Sequence, residues 1–190
     1  GMERSPDDLC LFTLKEGKEV VVIVVLWVDD VLMCGTPRAT QNLLNGLETN
    51  HVLSHGPPSS FLGLRVERGE EGVIQISQRR HVVELLERYG MSECTPKDQV
   101  MPTNAQLTEK MITPDCGGQE LIQRKVKYRG MIGSLLYLSV WTRPDIAFAT
   151  GMLARHCNNP GAHHVAAAKA IMRYLQNTTD LRLQYGVTQT

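Results

Sequence analysis

Hydrophobic residues are concentrated in one stretch of the chain, residues 20–34, which reads VVVIVVLWVDDVLMC. All residues from Val20 to Val28 are aliphatic or aromatic, and seven of these nine are β-branched. The run stops at Asp29 and Asp30 and resumes directly afterwards. Two apolar runs separated by a short polar break are typical of adjacent buried strands. The pattern therefore predicts a hairpin with two acidic residues at its tip.

The remaining apolar runs predict strands first and helices afterwards. Short runs bounded by Gly-containing polar links predict further strands at 9–14, 61–67 and 73–77. Apolar residues at helical spacing, interrupted by Pro and Gly, predict helices at 37–50, 78–89, 125–140, about 144–155 and 162–176, followed by a short strand at 181–185. The predicted fold class is α+β, with an antiparallel sheet, covering helices and then a helical region.

Individual residues mark the ends of the predicted helices. Thr36 is expected to cap the first helix ahead of Pro37, and Ser77 is expected to cap the second. Gly90 suits the left-handed position that ends a helix. Residues 92–123 contain three prolines and few large apolar residues, which predicts a linker, a functional crossing or a partly disordered segment.

The helix predicted at 125–140 combines large apolar residues with small ones. Gly130, Gly133 and Ser134 are expected to permit close helix packing. Basic residues occur in two groups, which are either solvated helix surfaces or contacts to nucleic-acid phosphates. The groups are Arg79, Arg80, His81 and Arg88, and Arg124, Lys125, Lys127 and Arg129.

Composition narrows the class of protein. The chain has 190 residues, and its 20 basic and 20 acidic side chains cancel, so nucleic-acid binding would depend on local patches. The longest apolar run is about half the length of a membrane-spanning helix, and no secretory signal pattern is present, so we expect no membrane partner. Five cysteines without a CxxC pair favour an intracellular chain with free thiols, which we expect in the cytoplasm or nucleus.

Two groups of histidines are candidate zinc ligands. They are His51 with His55, and His156 and Cys157 with His163 and His164. Neither group has the spacing of an established zinc finger or ribbon, so zinc is not predicted. The chain also contains no P-loop, dinucleotide-binding or nucleophile-elbow motif.

The acidic pair is the strongest candidate for chemistry. Two adjacent ionised carboxylates repel each other, and a divalent cation relieves the repulsion while gaining oxygen ligands. Asp29 and Asp30 therefore suggest a Mg²⁺ site. The alternative interpretation is a polar two-residue turn, for which Asp is common.

A wider set of motifs resembles the reverse transcriptase of copia-type (Ty1/copia) retrotransposons. The acidic pair belongs to Trp27-Val28-Asp29-Asp30, which is similar to the aromatic-x-Asp-Asp turn of reverse transcriptases. Further motifs in the same order are Asp8 to Phe12, Phe61 to Leu64, Ile76 to Gln78, Tyr89 to Met91, Tyr128-Arg129, Ile132 to Leu138, Thr142 to Ile146, Ala166 to Lys169 and Arg173 to Leu175. The resemblance extends over residues 8–186.

The resemblance implies a division of the chain and roles for several residues. Residues 8–77 would be part of a polymerase palm, 78–123 a thumb-like helix and linker, and 124–186 a helical thumb and connection region. Asp29 and Asp30 would be catalytic and would bind Mg²⁺, with Trp27 beside the primer terminus. Phe61, Leu62 and Gly63 would form a primer-grip-like hairpin, for which a plain core strand is the alternative. The implied partner is an RNA or DNA template-primer.

The sequence also departs from the family pattern. Trp27 stands where tyrosine is usual, and residues 53–56 lack the family's basic residue. Only seven residues precede Asp8, so the fingers and the palm strand that carries a further metal-binding aspartate have no counterpart, nor has ribonuclease H. We expect a portion of an RNA-directed DNA polymerase that is inactive alone. The alternative is a host-adopted, noncatalytic module that binds nucleic acid or protein.

A sheet that lacks its neighbouring strand has an exposed edge. The sequence therefore also predicts a homodimer formed through the edge of the hydrophobic hairpin.

Overall fold

The computed structural model describes residues 1–56, 59–101 and 118–186. The chain forms two compact units, residues 1–62 and 63–190. The first unit contains β1 (Glu3–Arg4), β2 (Leu11–Glu16), β3 (Glu19–Trp27), β4 (Asp30–Gly35), α1 (Pro37–Glu48) and β5 (Ser60–Phe61). The second contains β6 (Leu64–Arg68), β7 (Ile74–Ser77), α2 (Arg79–Arg88), α3 (Gly118–Trp141), α4 (Ala147–Ala154), α5 (Ala162–Asn177) and β8 (Leu183–Tyr185). Antiparallel strands combined with helices confirm the predicted α+β class.

The first unit is an antiparallel sheet in the order β1-β2-β3-β4, covered on one face by α1. Val22 and Val24 of β3 pack against Ala39 of α1 and form its buried core. The helix begins as predicted, because Pro37 occupies the first turn and the Thr36 hydroxyl accepts a hydrogen bond from the Ala39 amide. Alternate β3 residues point away from α1, and Ile23 among them is exposed.

The second unit has a helical core formed by α2, α3, α4 and α5. Its fully buried large side chains include Leu85, Tyr128, Met131, Ile132, Leu135, Leu138, Ile146, Leu153, Ile171, Met172 and Leu175. The buried Tyr128 hydroxyl donates to the Leu153 carbonyl at 2.8 Å, which satisfies the polar end of this side chain. Strands β6, β7 and β8 form an antiparallel sheet in the same unit.

A buried arginine joins the segment between α3 and α4 to the end of α5. The Arg143 guanidinium pairs with Asp145 at 2.8 Å and donates to the Thr178 hydroxyl at 2.6 Å. Tyr174 donates to the same carboxylate at 2.7 Å. Burial opposes ionisation of Asp145, but these hydrogen bonds outweigh it and hold the pKa of that carboxyl below its usual value. The Thr142-Arg143-Pro144-Asp145 break is therefore a packing feature as well as a helix boundary.

Three local predictions need correction. The first residue of α2 follows Gln78, not Ser77, and the Gln78 side chain is buried, with its amide oxygen accepting from the Thr142 hydroxyl at 2.8 Å. The predicted strand at 61–67 is interrupted by a turn at Leu62-Gly63. Gly133 lies on an open part of α3, where an added Cβ would meet nothing within 4 Å, so it is not a close-packing residue.

The division into 8–77, 78–123 and 124–186 assigns functional regions and stays a prediction. Much of the proposed linker, residues 102–117, lies outside the described residues.

Candidate functional site

The acidic pair lies at the tip of the hairpin formed by β3 and β4. The two strands are antiparallel, and Trp27 at the end of β3 is paired with Asp30 at the start of β4. Val28 and Asp29 alone form the connecting turn. Trp27, Asp29 and Asp30 are all exposed, so both carboxylates can meet a ligand from solvent. The structure thus places the pair where the hydrophobic pattern predicts it.

The turn itself has an unusual backbone. Val28 has a φ of +52°, in the left-handed region, and its side chain is 82% exposed. Two-residue hairpin turns require a positive φ at their first position, which glycine usually supplies. A β-branched residue there is strained by about 1–3 kcal/mol. The hydrophobic pattern of residues 20–34 did not predict this strain.

The donor set at the turn fits Mg²⁺ only in part. Carboxylate oxygens are the ligands that Mg²⁺ prefers, and Asp29 and Asp30 supply them. However, no cluster of three or more His, Cys, Asp or Glu side chains suited to a metal ion occurs within the residues that the structure describes. The turn is therefore at most a two-carboxylate site, and the catalytic and metal-binding roles of these residues stay predictions.

The primer-grip-like residues form a tight turn whose second residue must be glycine. Leu62 and Gly63 have φ values of +51° and +79°. A Cβ added to Gly63 would lie 2.8 Å from the Tyr137 hydroxyl oxygen of α3, so a side chain is excluded on two grounds. Tyr137 in turn makes an edge contact with His81 of α2, with ring centroids 4.8 Å apart. Neither contact was predicted, because Tyr137 is distant in sequence from both Gly63 and His81. The role of Phe61, Leu62 and Gly63 toward a primer stays a prediction.

The histidines near α5 form a hydrogen-bonded cluster. The Gly161 amide donates to His164 Nδ1 at 2.9 Å, so we assign the proton of neutral His164 to Nε2. That Nε2 lies 3.1 Å from His163 Nε2, and the His156 ring stacks on His164 at 4.0 Å. Burial, together with charge on the two neighbouring histidines, lowers the pKa of His164 to about 4. Because both His164 nitrogens are engaged, this arrangement does not offer that ring to a metal.

The other candidate histidines lie at the surface. His55 Nε2 is 2.9 Å from a Glu48 carboxylate oxygen, and both side chains are about half exposed. An exposed pair of this kind contributes little to stability.

Comparison with known proteins gives the class of this chain. It is 32% identical over 186 residues to the retrovirus-related Pol polyprotein from transposon TNT 1-94 of Nicotiana tabacum, a match that covers 96% of the chain and 14% of that polyprotein. It is 34% identical over 184 residues to the corresponding polyprotein from transposon RE1 of Arabidopsis thaliana, covering 94% of the chain and 12% of the polyprotein. The chain is thus a homologue of transposon Pol polyproteins.

Within that class, its homologues are copia-type (Ty1/copia) Pol polyproteins, as the motifs predict. It corresponds to a short segment of these long polyproteins. A shorter relative is an uncharacterized mitochondrial protein of Arabidopsis thaliana, 26% identical over 160 residues, which cover 82% of the chain and 61% of that protein. No protein-family model matches the chain, and no solved structure matches it.

In the described part of the chain, no helix is both long and apolar enough to cross a membrane.

Proposed function

We propose that the chain is the part of a copia-type reverse transcriptase that carries the second half of the palm and the thumb and connection regions. The observation that supports this proposal most is the position of Asp29 and Asp30, side by side at the exposed turn of a hydrophobic hairpin in a homologue of transposon Pol polyproteins. In this proposal, Asp29 and Asp30 bind Mg²⁺, Trp27 lies beside the primer terminus, and Phe61, Leu62 and Gly63 hold the primer strand.

The chemistry of the site follows from charge. A bound Mg²⁺ ion would supply Lewis-acid stabilisation of the phosphoryl group in template-directed nucleotidyl transfer. The two carboxylates would neutralise and orient that cation, and the antiparallel pairing of β3 with β4 would fix their backbone. With only two carboxylates at the turn, we propose weak metal binding and no polymerisation by this chain alone, the missing ligand coming from another segment of the polyprotein.

Binding of Mn²⁺, a paramagnetic substitute for Mg²⁺, tests the metal site directly. We expect Mn²⁺ to broaden the backbone amide NMR signals of Val28 to Val31, with a Kd of order 1 mM, as for weak carboxylate sites. Asp29→Asn is expected to abolish this local broadening. Asp7→Asn is the matched control, because Asp7 and Asp8 form a second exposed acidic pair in the same unit. Equal broadening at both pairs, or broadening unchanged in Asp29→Asn, would show that the turn has no metal preference.

Primer extension tests the second part of the proposal. With a primed RNA template, dNTPs and Mg²⁺, the purified chain is expected to extend nothing. Extension that Asp29→Asn abolishes would refute the proposed inactivity while supporting the site.

A second candidate function is a noncatalytic module adopted by the host. The observation in its favour is the mitochondrial relative, in which the matched region makes up most of the protein. In that case the sheet and helices would bind nucleic acid or protein without chemistry. Nucleic-acid binding that is the same with and without Mg²⁺, together with no Mn²⁺ signal at the turn, would favour this function.

Two further properties are proposed on the same basis. The chain would act in the cytoplasm or nucleus, consistent with four free cysteines at the described positions 10, 34, 94 and 157. It would dimerise through β4, which is an edge of the first sheet within the described residues and carries exposed Val31. A sedimentation profile that stays monomeric as concentration rises would exclude the dimer.

A further inference from the structure

The sheet of the second unit has a polar face. Residues on alternate positions of a strand share a face, which places Arg65 and Glu67 of β6 together. Arg65 is paired with Ser77 of β7, and Glu67 is paired with Gln75. Arg182, next to β8, donates to the Gln75 side chain at 2.6 Å and lies 3.3 Å from Glu67. At the positions named here, the face carries only polar and charged side chains.

A surface pocket of ≈ 200 Å³ lies where this face meets the start of α2. It is lined by Arg65, Glu67, Ser77, Arg79, Asp180 and Arg182. Three guanidinium groups and two carboxylates give the lining an excess of one positive charge, although the chain as a whole is neutral. We call this set of six residues the arginine pocket.

Glu67 and Asp180 form ion pairs with the three arginines but do not engage all of the guanidinium N–H groups. A guanidinium carries five N–H groups, and the ion pair of each arginine here uses a single nitrogen: Nη2 of Arg65, Nε of Arg79 and Nη1 of Arg182. The pair of Arg79 with Asp180 is also weak, because the side chains are 57% and 80% exposed. An incoming anion can therefore displace Asp180 at small cost.

A second polar pocket adjoins the first. Its volume is ≈ 340 Å³ and it shares Arg79 and Asp180 with the first. The rest of its lining is Val83, Leu86, Glu87, Ser92, Gln176, Asn177 and Thr179. The two pockets together form an open polar groove with Arg79 at their junction. The lining of the second pocket includes the Glu87 carboxylate, so the excess of positive charge is confined to the first pocket.

We propose that the arginine pocket binds phosphate groups in the backbone of a nucleic-acid strand. Guanidinium groups match phosphate oxygens in geometry and charge, and phosphate contacts of this type are independent of base sequence. Arg79 makes the central contact, Arg65 and Arg182 flank it, and Asp180 competes with the phosphate for Arg79. This inference deepens the proposed function and rests on it for the choice of a nucleic-acid ligand.

Neighbouring arginines on α2 allow a matched test. Arg79 lines the pocket, whereas Arg80, the next residue, points elsewhere, pairs with Glu84 at 2.7 Å and is 91% exposed. Binding of a fluorescein-labelled single-stranded DNA is measured by anisotropy between about 50 and 200 mM salt. Arg79→Ala is expected to weaken binding about tenfold, as for loss of a hydrogen bond to a charged group. It should also lower the slope of log K against log salt by about one. Arg80→Ala is expected to change neither quantity by more than about twofold.

Substitution of the acidic residues gives a second test. It predicts tighter DNA binding, which a misfolded variant would not show. Asp180→Asn removes the competitor of the phosphate, so it is expected to tighten DNA binding about threefold or more. Glu84→Gln is the control, because it removes an equal charge from the neighbouring Arg80 pair outside the pocket.

The outcomes separate this inference from the proposed function. Equal effects of Arg79→Ala and Arg80→Ala, or equal effects of Asp180→Asn and Glu84→Gln, would overturn the arginine pocket and leave the Mn²⁺ test at Asp29 untouched. An absence of DNA binding by the unmodified chain at about 50 mM salt would overturn it as well. Inorganic phosphate that binds through Arg79 while DNA does not would assign the pocket to a free anion and also overturn it.

Discussion

Val28 is the residue at which the local geometry and the amino-acid type disagree. Its left-handed φ suits glycine, and its exposed side chain gains little from burial. The turn nevertheless forms, because the pairing of Trp27 with Asp30 and the long ladder between β3 and β4 determine it. A strained residue held by its surroundings is a frequent feature of functional sites, and here it lies directly beside Asp29.

Replacing Val28 with glycine should stabilise the first unit. Relief of about 1–3 kcal/mol of strain exceeds the 0.5–1 kcal/mol that glycine loses in chain entropy, so we expect a gain of about 1 kcal/mol in the free energy of unfolding. Urea unfolding followed by Trp27 fluorescence measures it. Val31→Gly is the control, because Val31 is exposed but lies within β4, where glycine should cost about 1 kcal/mol. Equal destabilisation by both substitutions would contradict the assigned strain.

The two turns that carry candidate functional residues, Val28-Asp29 and Leu62-Gly63, differ in how far the sequence alone predicts them. The position of Asp29 and Asp30 is local information, because an apolar run on either side fixes both the strands and the break between them. The contact of Gly63 with Tyr137 is not local, because it depends on how α3 packs. The motif Phe61-Leu62-Gly63 therefore did not predict Tyr137 as a neighbour.

At the scale of elements, helix positions follow from apolar periodicity but the use of small residues does not. The bounds of α1, α2 and α5 lie within two residues of those predicted. Within α3, however, two glycines with similar sequence surroundings have different environments. A Cβ on Gly130 would lie 2.8 Å from the Tyr89 hydroxyl oxygen, whereas Gly133 faces open space. The sequence could not separate them, because the difference depends on a side chain from the end of α2.

This difference predicts opposite responses to alanine. Gly133→Ala should stabilise the second unit by about 1 kcal/mol, the difference in helix propensity between the two residues. Gly130→Ala gains the same propensity but displaces Tyr89, so it should be neutral or destabilising by about 1 kcal/mol. Chemical denaturation followed by circular dichroism at helical wavelengths gives both values.

Tyr89→Phe provides the check on the cause. Adding it to Gly130→Ala removes the oxygen that an alanine Cβ would meet, so the pair should be more stable than the sum of the single changes predicts. Strict additivity would show that Tyr89 does not limit position 130.

At the scale of the whole molecule, the second unit is held by polar groups as well as by its apolar core. The Arg143 network links the α3–α4 break to the end of α5, and the histidine cluster lies at the start of the same helix. The sequence patterns contain Arg143 and His164 but do not predict that their side chains are buried. A buried arginine or histidine is unusual, and its burial depends on partners far along the chain. Burial of His164 makes the stability of this unit depend on pH.

The histidine cluster should destabilise the chain in mild acid. The folded-state pKa of His164, about 4, lies below the unfolded value of 6.5, so the unfolded chain binds more protons between these limits. The contribution of neutral His164 is complete above pH 6.5 and is lost as pH falls toward 4, by roughly 3 kcal/mol at most. Burial lowers the pKa of His81 as well, so that residue acts in the same direction.

Urea unfolding at a series of pH values should therefore show a steep loss of stability over this range. His164→Gln should reduce the loss, and His55→Gln, a change at an exposed histidine, should leave it intact. An NMR titration in which the His164 ring protonates near pH 6.5 in the folded chain would contradict the predicted dependence, because the folded and unfolded states would then bind the proton equally well.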